Sequence, residues 1–311
     1  AYSFMLFNLL AGVYPDGSRR KICLPLAPEY IGYADLGLCD DFFVATRPKI
    51  ERIGEDMFKY HIDFDALKIT DDIGAICVSR PTNPTGNVIT DSEVQALDRL
   101  ARTHGIPLII DNAYGLPFPG MVYADAAPFW NDNTIVCLSL SKLGLPAVRT
   151  GIIVARPEIV RALASMNAIM SLSPGSFGAT VTRKLFASGE VVDLSRNLIG
   201  PFYRNKMEKA VAAVRRECAG LPYRIHKPEG AMFLWLWFEG LPLSSLDLYR
   251  RLKRRGALVV SGHYFFPGLL EEWRHRQECL RVTYSQNDKD VANGIAIIGR
   301  EVKKAYADSG Q

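Results

Sequence analysis

Long apolar runs are missing from this sequence. No segment approaches the roughly twenty consecutive apolar residues that a membrane-spanning helix needs. The stretch from Phe4 to Ala11 has the apolar character of a signal peptide, but no basic segment precedes it and no cleavage site follows it. We therefore expect neither a membrane span nor a secretory signal.

A strong charge of either sign is also missing. Lysine and arginine together number 37 and aspartate and glutamate 33, which leaves a net charge of only +4 over 311 residues. The main basic cluster, Arg251 with residues 253–255, ends at Gly256 and fits a solvated helix end better than a nucleic-acid surface. We therefore do not expect nucleic acid as a partner.

The six cysteines lack the close spacing of a metal site. Several lie inside apolar runs, where a free thiol behaves as a small core side chain. We expect them to be reduced and buried, which points to the cytoplasm. A hydrophobic content of 48% is that of a soluble globular protein, and the length suits one large domain or two ordinary ones.

The first two thirds of the chain alternate short apolar runs with helical patterns. The runs predicted as strands are 21–26, 75–79, 107–110, 135–138 and 152–155. Residues 91–104 form an amphipathic pattern with Thr90 as N-cap and Gly105 after the end, which predicts a helix. Repeated strand–helix–strand order predicts a mainly parallel sheet with helices on both faces.

The last third has a different pattern. A helical region over about 183–217, with a break near Gly200, leads away from the sheet. Beyond it, the predicted strands are 231–238, 257–260 and 279–284, and the predicted helices are 246–255 and 288–307. We predict an α/β fold with a three-layer α/β/α large domain over residues 1–200 and a smaller C-terminal α+β domain over residues 201–311.

Polar side chains follow three neighbouring predicted strands. Asn83 comes after the first, Asp111 and Tyr114 after the second, and Lys142 after the third. The carboxyl ends of parallel strands meet at one edge of a sheet, where open α/β sheets bind ligands. An amine, a carboxylate and a phenol at that edge fit one cofactor, pyridoxal 5′-phosphate.

Each residue type matches a need of this cofactor. Lys142 would hold its aldehyde covalently and later move the substrate Cα proton, because a partly desolvated lysine readily loses its charge. Asp111 would keep the ring nitrogen protonated, and Asn83 and Tyr114 would donate to the ring oxygen. Ser139, Ser141 and Arg149 lie on the loop of Lys142 and could bind the phosphate.

An amino-acid substrate also carries a carboxylate, so a further arginine is expected. Arg281 lies inside an apolar predicted strand, which suits a position that meets an anion, and we expect it to bind substrate with Asn83. Taken singly, these residues have ordinary explanations: Lys142 could be a surface lysine, Asp111 part of a turn, and Arg149 and Arg281 ion-pair partners. The prediction depends on their order and spacing.

At these residues the chain resembles the class I/II aminotransferases of the pyridoxal-phosphate fold-type I superfamily. The likeness runs through residues 28–30, Asn83-Pro84-Thr85-Gly86, Asp111-Asn112-Ala113-Tyr114 and Ser139-Leu140-Ser141-Lys142 to Arg281, and so covers essentially the whole chain. It continues in residues 24–33, 226–230 and 265–268.

The resemblance implies a homodimer, with Tyr30 stacked over the cofactor ring and a peptide bond before Pro84 that is commonly cis. Such proteins also carry a glycine- and serine-containing phosphate-binding turn before the helix that here begins near Ala1. We expect the natural beginning of the chain, including this turn, to be missing, and cofactor retention to be weakened.

The implied activity is ping-pong transfer of an amino group between a small aliphatic amino acid, such as valine or alanine, and a 2-oxo acid such as pyruvate. Two alternatives stay open among related enzymes, a broader alanine or aromatic transaminase and a β-lyase. A third is a cofactor-binding regulatory module without catalysis.

Overall fold

The computed structural model describes residues 2–309, so Ala1 and the last two residues lie outside the described residues. The strands are β1 (Gly12–Val13), β2 (Arg19–Leu24), β3 (Phe43–Ala45), β4 (Lys49–Ile53), β5 (Met57–His61), β6 (Ile73–Ser79), β7 (Leu108–Asp111), β8 (Thr134–Ser139), β9 (Gly151–Val154), β10 (Tyr223–His226), β11 (Phe233–Phe238), β12 (Val260–Ser261) and β13 (Cys279–Thr283). The helices are α1 (Tyr2–Leu10), α2 (Asp91–Thr103), α3 (Pro157–Ser171), α4 (Phe177–Ala187), α5 (Glu190–Leu194), α6 (Gly200–Glu217), α7 (Ser245–Arg254) and α8 (Asp288–Ser309).

The first sheet follows the order β1-β2-β6-β7-β8-β9, with β3 paired to β2. Its central pairs are parallel, whereas β1 and β9 are antiparallel to their neighbours. Every residue of β6 is buried, because strands covered on both faces need apolar side chains on both. The predicted α/β fold with a mainly parallel sheet is confirmed.

Helix α2 begins where the sequence predicts. The Thr90 side chain accepts a hydrogen bond from the Glu93 backbone N–H, and the Glu93 carboxylate accepts one from the Thr90 backbone N–H. This capping box satisfies two backbone donors and is worth about 1 kcal/mol. Gly105 follows the helix at φ +64°, the left-handed backbone that glycine adopts without strain.

The break predicted near Gly200 is wrong. Helix α4 ends before Gly189, whose φ is +78°, and the chain then stays helical from Glu190 to Glu217 through a π-helical turn at Ser195–Ile199. Pro201 occupies the first turn of α6, where a missing N–H removes no hydrogen bond within that helix. Proline therefore starts a helical segment here instead of ending one.

The second sheet follows the order β12-β13-β11-β10-β5-β4. Its core strand β11 is fully buried and rich in aromatic residues, and the strand predicted at 257–260 lies at Val260–Ser261. The hairpin β4–β5 comes from the first fifth of the chain, and β5 pairs in parallel with β10. These two strands were not predicted from the sequence, and the division into residues 1–200 and 201–311 stays a prediction.

Several other expectations have an outcome in the structure. The cis peptide bonds in residues 2–309 precede Pro28, Pro81, Pro117 and Pro119, so the expectation for Pro84 is wrong. All six cysteines are free, and all are buried except the partly exposed Cys39. In the described part of the chain, no helix combines the length and the apolar character needed to cross a membrane.

Candidate active site

The parallel pairing brings three strand ends together. Ser79 at the end of β6 lies opposite Asp111 at the end of β7, which in turn lies opposite Cys137 near the end of β8. The segments that follow these strands therefore leave the sheet side by side. Asn83, Tyr114 and Lys142 lie on those segments, at the carboxyl edge of the sheet where the sequence places them.

A cavity of about 810 Å³ lies at this edge. All nine predicted site residues line it: Tyr30, Asn83, Asp111, Tyr114, Ser139, Ser141, Lys142, Arg149 and Arg281. Phe4 of α1 and Met232 before β11 contribute apolar wall. A smaller cavity of about 240 Å³, near Trp130, is lined mostly by apolar side chains and lacks a comparable set of ionisable groups.

Lys142 lies in a short 3₁₀ turn, Ser141–Leu143, that ends at Gly144 with φ +103°. Its side chain is partly buried, and its Nζ lies 5.3 Å from the centre of the Tyr114 ring. Loss of hydration lowers the pKa of Lys142, and the positive charges of Arg281 and Arg149 lower it further. An amine in such a position is more easily neutral, and a neutral amine is a nucleophile and a base.

Asp111 is held by two hydrogen bonds. Tyr33 donates from its hydroxyl to Asp111 Oδ2 at 2.8 Å, and the backbone N–H of Ala113 donates to Oδ1 at 3.2 Å. Burial raises the pKa of the Asp111 carboxyl, and these hydrogen bonds act in the opposite direction. A cation bound against this carboxylate would compensate for the hydration that the carboxylate loses on burial.

Tyr33 and Glu29 also belong to this site, although neither was predicted from the sequence as a functional residue. Tyr33 is buried, and its hydroxyl also lies 3.2 Å from Ser79 Oγ. Glu29 is fully buried and accepts hydrogen bonds from the Ser79 backbone at 2.8 Å, from Ser79 Oγ at 2.7 Å and from the Tyr30 backbone at 3.1 Å. The available signal was an acidic residue inside the otherwise apolar run 22–31.

Arg281 reaches the cavity from the second sheet. Its Nη1 donates to Asn83 Oδ1 at 2.8 Å, and its guanidinium lies 4.4 Å from the ring centre of Phe233 and 5.2 Å from that of Phe265. Its Nε is buried and has no hydrogen-bond partner among residues 2–309. A partly buried arginine that contacts two rings and has an unused donor suits an anionic ligand.

The predicted phosphate-binding residues lie along one wall of the cavity. Ser139 Oγ accepts a hydrogen bond from the Ser141 backbone at 3.2 Å. Arg149 is exposed, and its Nη1 donates to the Pro146 carbonyl at 3.2 Å. Tyr30 is 40% exposed, with its ring centre 5.5 Å from that of Tyr33. These donors and this ring remain accessible from the cavity.

The donor set fits pyridoxal 5′-phosphate. The cavity presents an amine with a lowered pKa and a partly buried carboxylate that forms no ion pair within residues 2–309. It also presents hydroxyl and guanidinium donors and an accessible aromatic face. Each corresponds to one part of the cofactor: aldehyde, ring nitrogen, phosphate and ring face. In the described part of the chain, no cluster of metal-ligating side chains competes with this interpretation.

Known proteins support the same interpretation. The family model described as aminotransferase class I and II matches residues 49–298. The valine–pyruvate aminotransferase of Escherichia coli is 51% identical over 98% of this chain and 73% of its own length. The crystal structure of valine–pyruvate aminotransferase from Salmonella typhimurium has a TM-score of 0.93 and 50% identity, over 99% of this chain and 78% of the other.

A more distant structure shares the fold alone. It is α-aminoadipate aminotransferase from Thermus thermophilus, complexed with N-(5′-phosphopyridoxyl)-L-leucine. The TM-score is 0.77 at 20% identity, over 98% of this chain and 76% of the other.

Proposed function

Because this chain belongs to the class I and II aminotransferases, we propose that it moves an amino group between a small aliphatic amino acid and a 2-oxo acid. Valine and alanine are the proposed amino acids, and pyruvate and 2-oxoisovalerate are the proposed oxo acids. The relatives from Escherichia coli and Salmonella typhimurium carry the name valine–pyruvate aminotransferase, which supports this choice.

The cofactor is pyridoxal 5′-phosphate. When bound, it supplies an electron-accepting ring that makes the substrate Cα proton removable. We assign Lys142 to its aldehyde, Asp111 to its ring nitrogen and Tyr30 to its ring face. Asn83 and Tyr114 would donate hydrogen bonds to the ring oxygen. Ser139, Ser141 and Arg149 would bind the phosphate.

Lys142 is the proposed base at the substrate Cα. Once the substrate amine has displaced Lys142 from the aldehyde, its lowered pKa would favour the neutral amine that accepts this proton, and the same Nζ could return the proton to the cofactor carbon. The first substrate would leave its amino group on the cofactor, gain its keto oxygen from water and depart as a 2-oxo acid. A second 2-oxo acid would take up this amino group, lose its keto oxygen as water and depart as an amino acid, which would complete the ping-pong cycle.

Arg281 and Asn83 anchor the substrate carboxylate in this proposal. The charged fork of Arg281 fits a carboxylate with two parallel hydrogen bonds, and Asn83 fixes the orientation of the fork. Ile31, Leu36 and Met232 line the same cavity with apolar side chains. Because the cavity combines this single anion-binding arginine with an apolar wall, it favours a substrate with a short aliphatic side chain over one with an acidic side chain.

We also propose that the enzyme is a cytoplasmic homodimer. Three strongly exposed apolar side chains lie close together in the sequence, at the end of α3 and the start of α4. Ile169 is 82% exposed, Leu172 86% and Phe177 68%. A second copy would cover such a surface. Helix α4 packs closely through Gly178 against Thr150, next to the proposed phosphate ligand Arg149. Substitution Leu172→Lys should then raise the monomer fraction measured by light scattering and weaken cofactor binding.

The convergence of the nine predicted residues on one cavity carries the proposal. The test is the amino-donor profile with pyruvate as acceptor, in the parent chain and in Lys142→Ala. We expect valine to be a good donor and Lys142→Ala to lose turnover by a factor of about 10² to 10⁴ or more. Retained turnover in that variant, or pyruvate release from cystathionine in preference to transamination, would contradict it.

A further inference from the structure

Glu29 is a buried acid that the proposed reaction does not use. It is fully buried, and no lysine, arginine or histidine in residues 2–309 forms an ion pair with it. Its hydrogen-bond donors are two backbone N–H groups and the hydroxyl of Ser79. An unpaired carboxylate without water is strongly disfavoured, so such a group tends to hold a proton.

A continuous chain of oxygen atoms connects Glu29 to Asp111. Glu29 Oε2 lies 2.7 Å from Ser79 Oγ, Ser79 Oγ lies 3.2 Å from Tyr33 Oη, and Tyr33 Oη lies 2.8 Å from Asp111 Oδ2. These are three contacts between oxygens at hydrogen-bonding distance. They link the loop after β2 to the end of β7 through the end of β6.

The number of hydrogens shared by these four side chains determines which hydrogen bonds can form between them. Three contacts need three hydrogens, but the two hydroxyls provide only two. With both acids ionised, Ser79 donates to Glu29 and Tyr33 donates to Asp111, which leaves Ser79 and Tyr33 facing each other without a hydrogen. One further proton on either acid completes the set. On Glu29, it makes Glu29 donate to Ser79, Ser79 to Tyr33, and Tyr33 to Asp111; on Asp111, it reverses all three bonds.

We propose that Glu29 is a positioning residue that carries this third proton and, through Ser79 and Tyr33, keeps Asp111 ionised with its Oδ2 fixed. The inference deepens the proposed function, because it rests on Asp111 as the partner of the cofactor ring nitrogen. Glu29 is fully buried whereas Asp111 is only partly buried, so the proton stays on Glu29, the acid outside the cavity. The negative charge stays on the acid that lines it.

The electrostatic surroundings support this distribution. Burial raises the pKa of Glu29 to about 7, against the hydrogen bonds from Ser79 and Tyr30, and the negative charge of Asp111 raises it further. Cys77 of β6 and Tyr33 also face Glu29. Tyr2 of α1 and Cys137 of β8 face Asp111, and burial raises the pKa of both, which keeps them neutral.

Infrared spectroscopy of the cofactor-free protein tests the proton directly. The carbonyl stretch of a protonated carboxyl group is distinct from that of a carboxylate. We expect a protonated band below pH 7 that disappears as the pH rises through about 7. The band should be lost in Glu29→Gln and kept in Glu278→Gln, a matched control because Glu278 is also buried but pairs with Arg274. A spectrum in which Glu29→Gln removes no such band overturns the proposal.

Cofactor affinity provides a second readout. Glutamine keeps a donor towards Ser79 Oγ and loses only the bond from the Tyr30 N–H, so binding of pyridoxal phosphate should weaken no more than about threefold. Glu29→Ala, which removes the donor, should weaken it about tenfold or more. Equal losses in both variants would show that the charge of Glu29 matters, which overturns the proposal. Since the infrared test needs neither cofactor nor turnover, failure of the proposed reaction would leave its result unchanged.

Discussion

Arg281 on β13 and Asn83 after β6 form a hydrogen bond of 2.8 Å, although 198 positions separate them in the chain. The bond connects the second sheet to the first at the wall of the main cavity. Lys142 follows a strand of the first sheet, so the proposed carboxylate anchor and the proposed base come from different sheets. Their relative position depends on contacts of this kind.

Replacing Arg281 should weaken substrate binding. Charge-assisted hydrogen bonds contribute about 1.5–3 kcal/mol, so Arg281→Lys, which loses the planar fork, should raise KM for valine and for pyruvate by roughly 10- to 100-fold. Arg276→Lys is the control, because Arg276 also lies over a phenylalanine ring and its buried Nε has no hydrogen-bond partner within residues 2–309. Steady-state kinetics with both substrates measures the effect, and equal changes in the two variants would contradict the assignment.

The positive charge of Arg149 should influence Lys142. Arg149 lowers the pKa of Lys142, so Arg149→Gln should raise it. A lysine reacts when neutral, and its reactivity increases as pH rises through its pKa. The labelling curve of Lys142 in cofactor-free protein should therefore move to higher pH. Mass spectrometry measures this labelling, with Arg156→Gln as control. An unchanged curve would exclude the coupling.

Lys59 and Glu229 form an ion pair whose side chains are each only 6% exposed. Lys59 also donates to Asn87 Oδ1 at 3.1 Å and to the Val88 carbonyl at 3.0 Å, so the pair joins β5 to the segment after Asn83. Removing one partner, as in Glu229→Ala, should reduce the free energy of unfolding by about 3–5 kcal/mol, because the other charge is left buried.

Urea unfolding measures the cost, and two comparisons identify its cause. The double change of Lys59 and Glu229 to methionine should recover most of the loss, since no charge is then stranded. Lys49→Ala, which removes an exposed pair with Asp65, should cost under about 1 kcal/mol. A double variant as unstable as the single one would point to packing instead of charge.

Alanine substitutions at Gly86 and Gly105 distinguish the stability cost of backbone strain from that of a close contact. Both have left-handed φ angles, +70° and +64°. A Cβ at Gly86 would lie 2.6 Å from the Gly230 carbonyl oxygen, whereas a Cβ at Gly105 meets nothing within 4 Å. Gly105→Ala should therefore cost about 1–2 kcal/mol, and Gly86→Ala about 1–3 kcal/mol more. Thermal unfolding of both variants measures the difference, and equal costs would exclude the contact.

The sequence was sufficient to predict the parallel centre of the first sheet and residues around the main cavity, but not the short strands β1 and β3 of that sheet. Strands β6, β7 and β8 are continuous apolar runs, and each is followed by polar residues with distinct chemistry. In a parallel sheet, the ends of such strands must meet at one edge. Asn83, Asp111 and Lys142 therefore follow from pattern and order alone.

The hairpin β4–β5 and the buried polar residues could not be predicted in this way. Strand β4 carries exposed charged residues because one edge of the second sheet faces solvent, so it lacks an apolar run. The partner of β5 lies far along the chain, and no local pattern specifies such a pairing. Glu29 and Tyr33 gain their importance from contacts with Ser79 and Asp111, which only the folded sheet brings near them.

The parallel pairing of β5 with β10 has a consequence for biosynthesis. As the chain leaves the ribosome, the hairpin β4–β5 emerges early, and its inner edge has no partner until residues 223–226 follow. During that interval an open strand edge is available to other nascent chains. Separate expression of residues 201–311 would leave the facing edge, that of β10, exposed permanently, so that fragment should aggregate unless residues 49–61 are supplied with it.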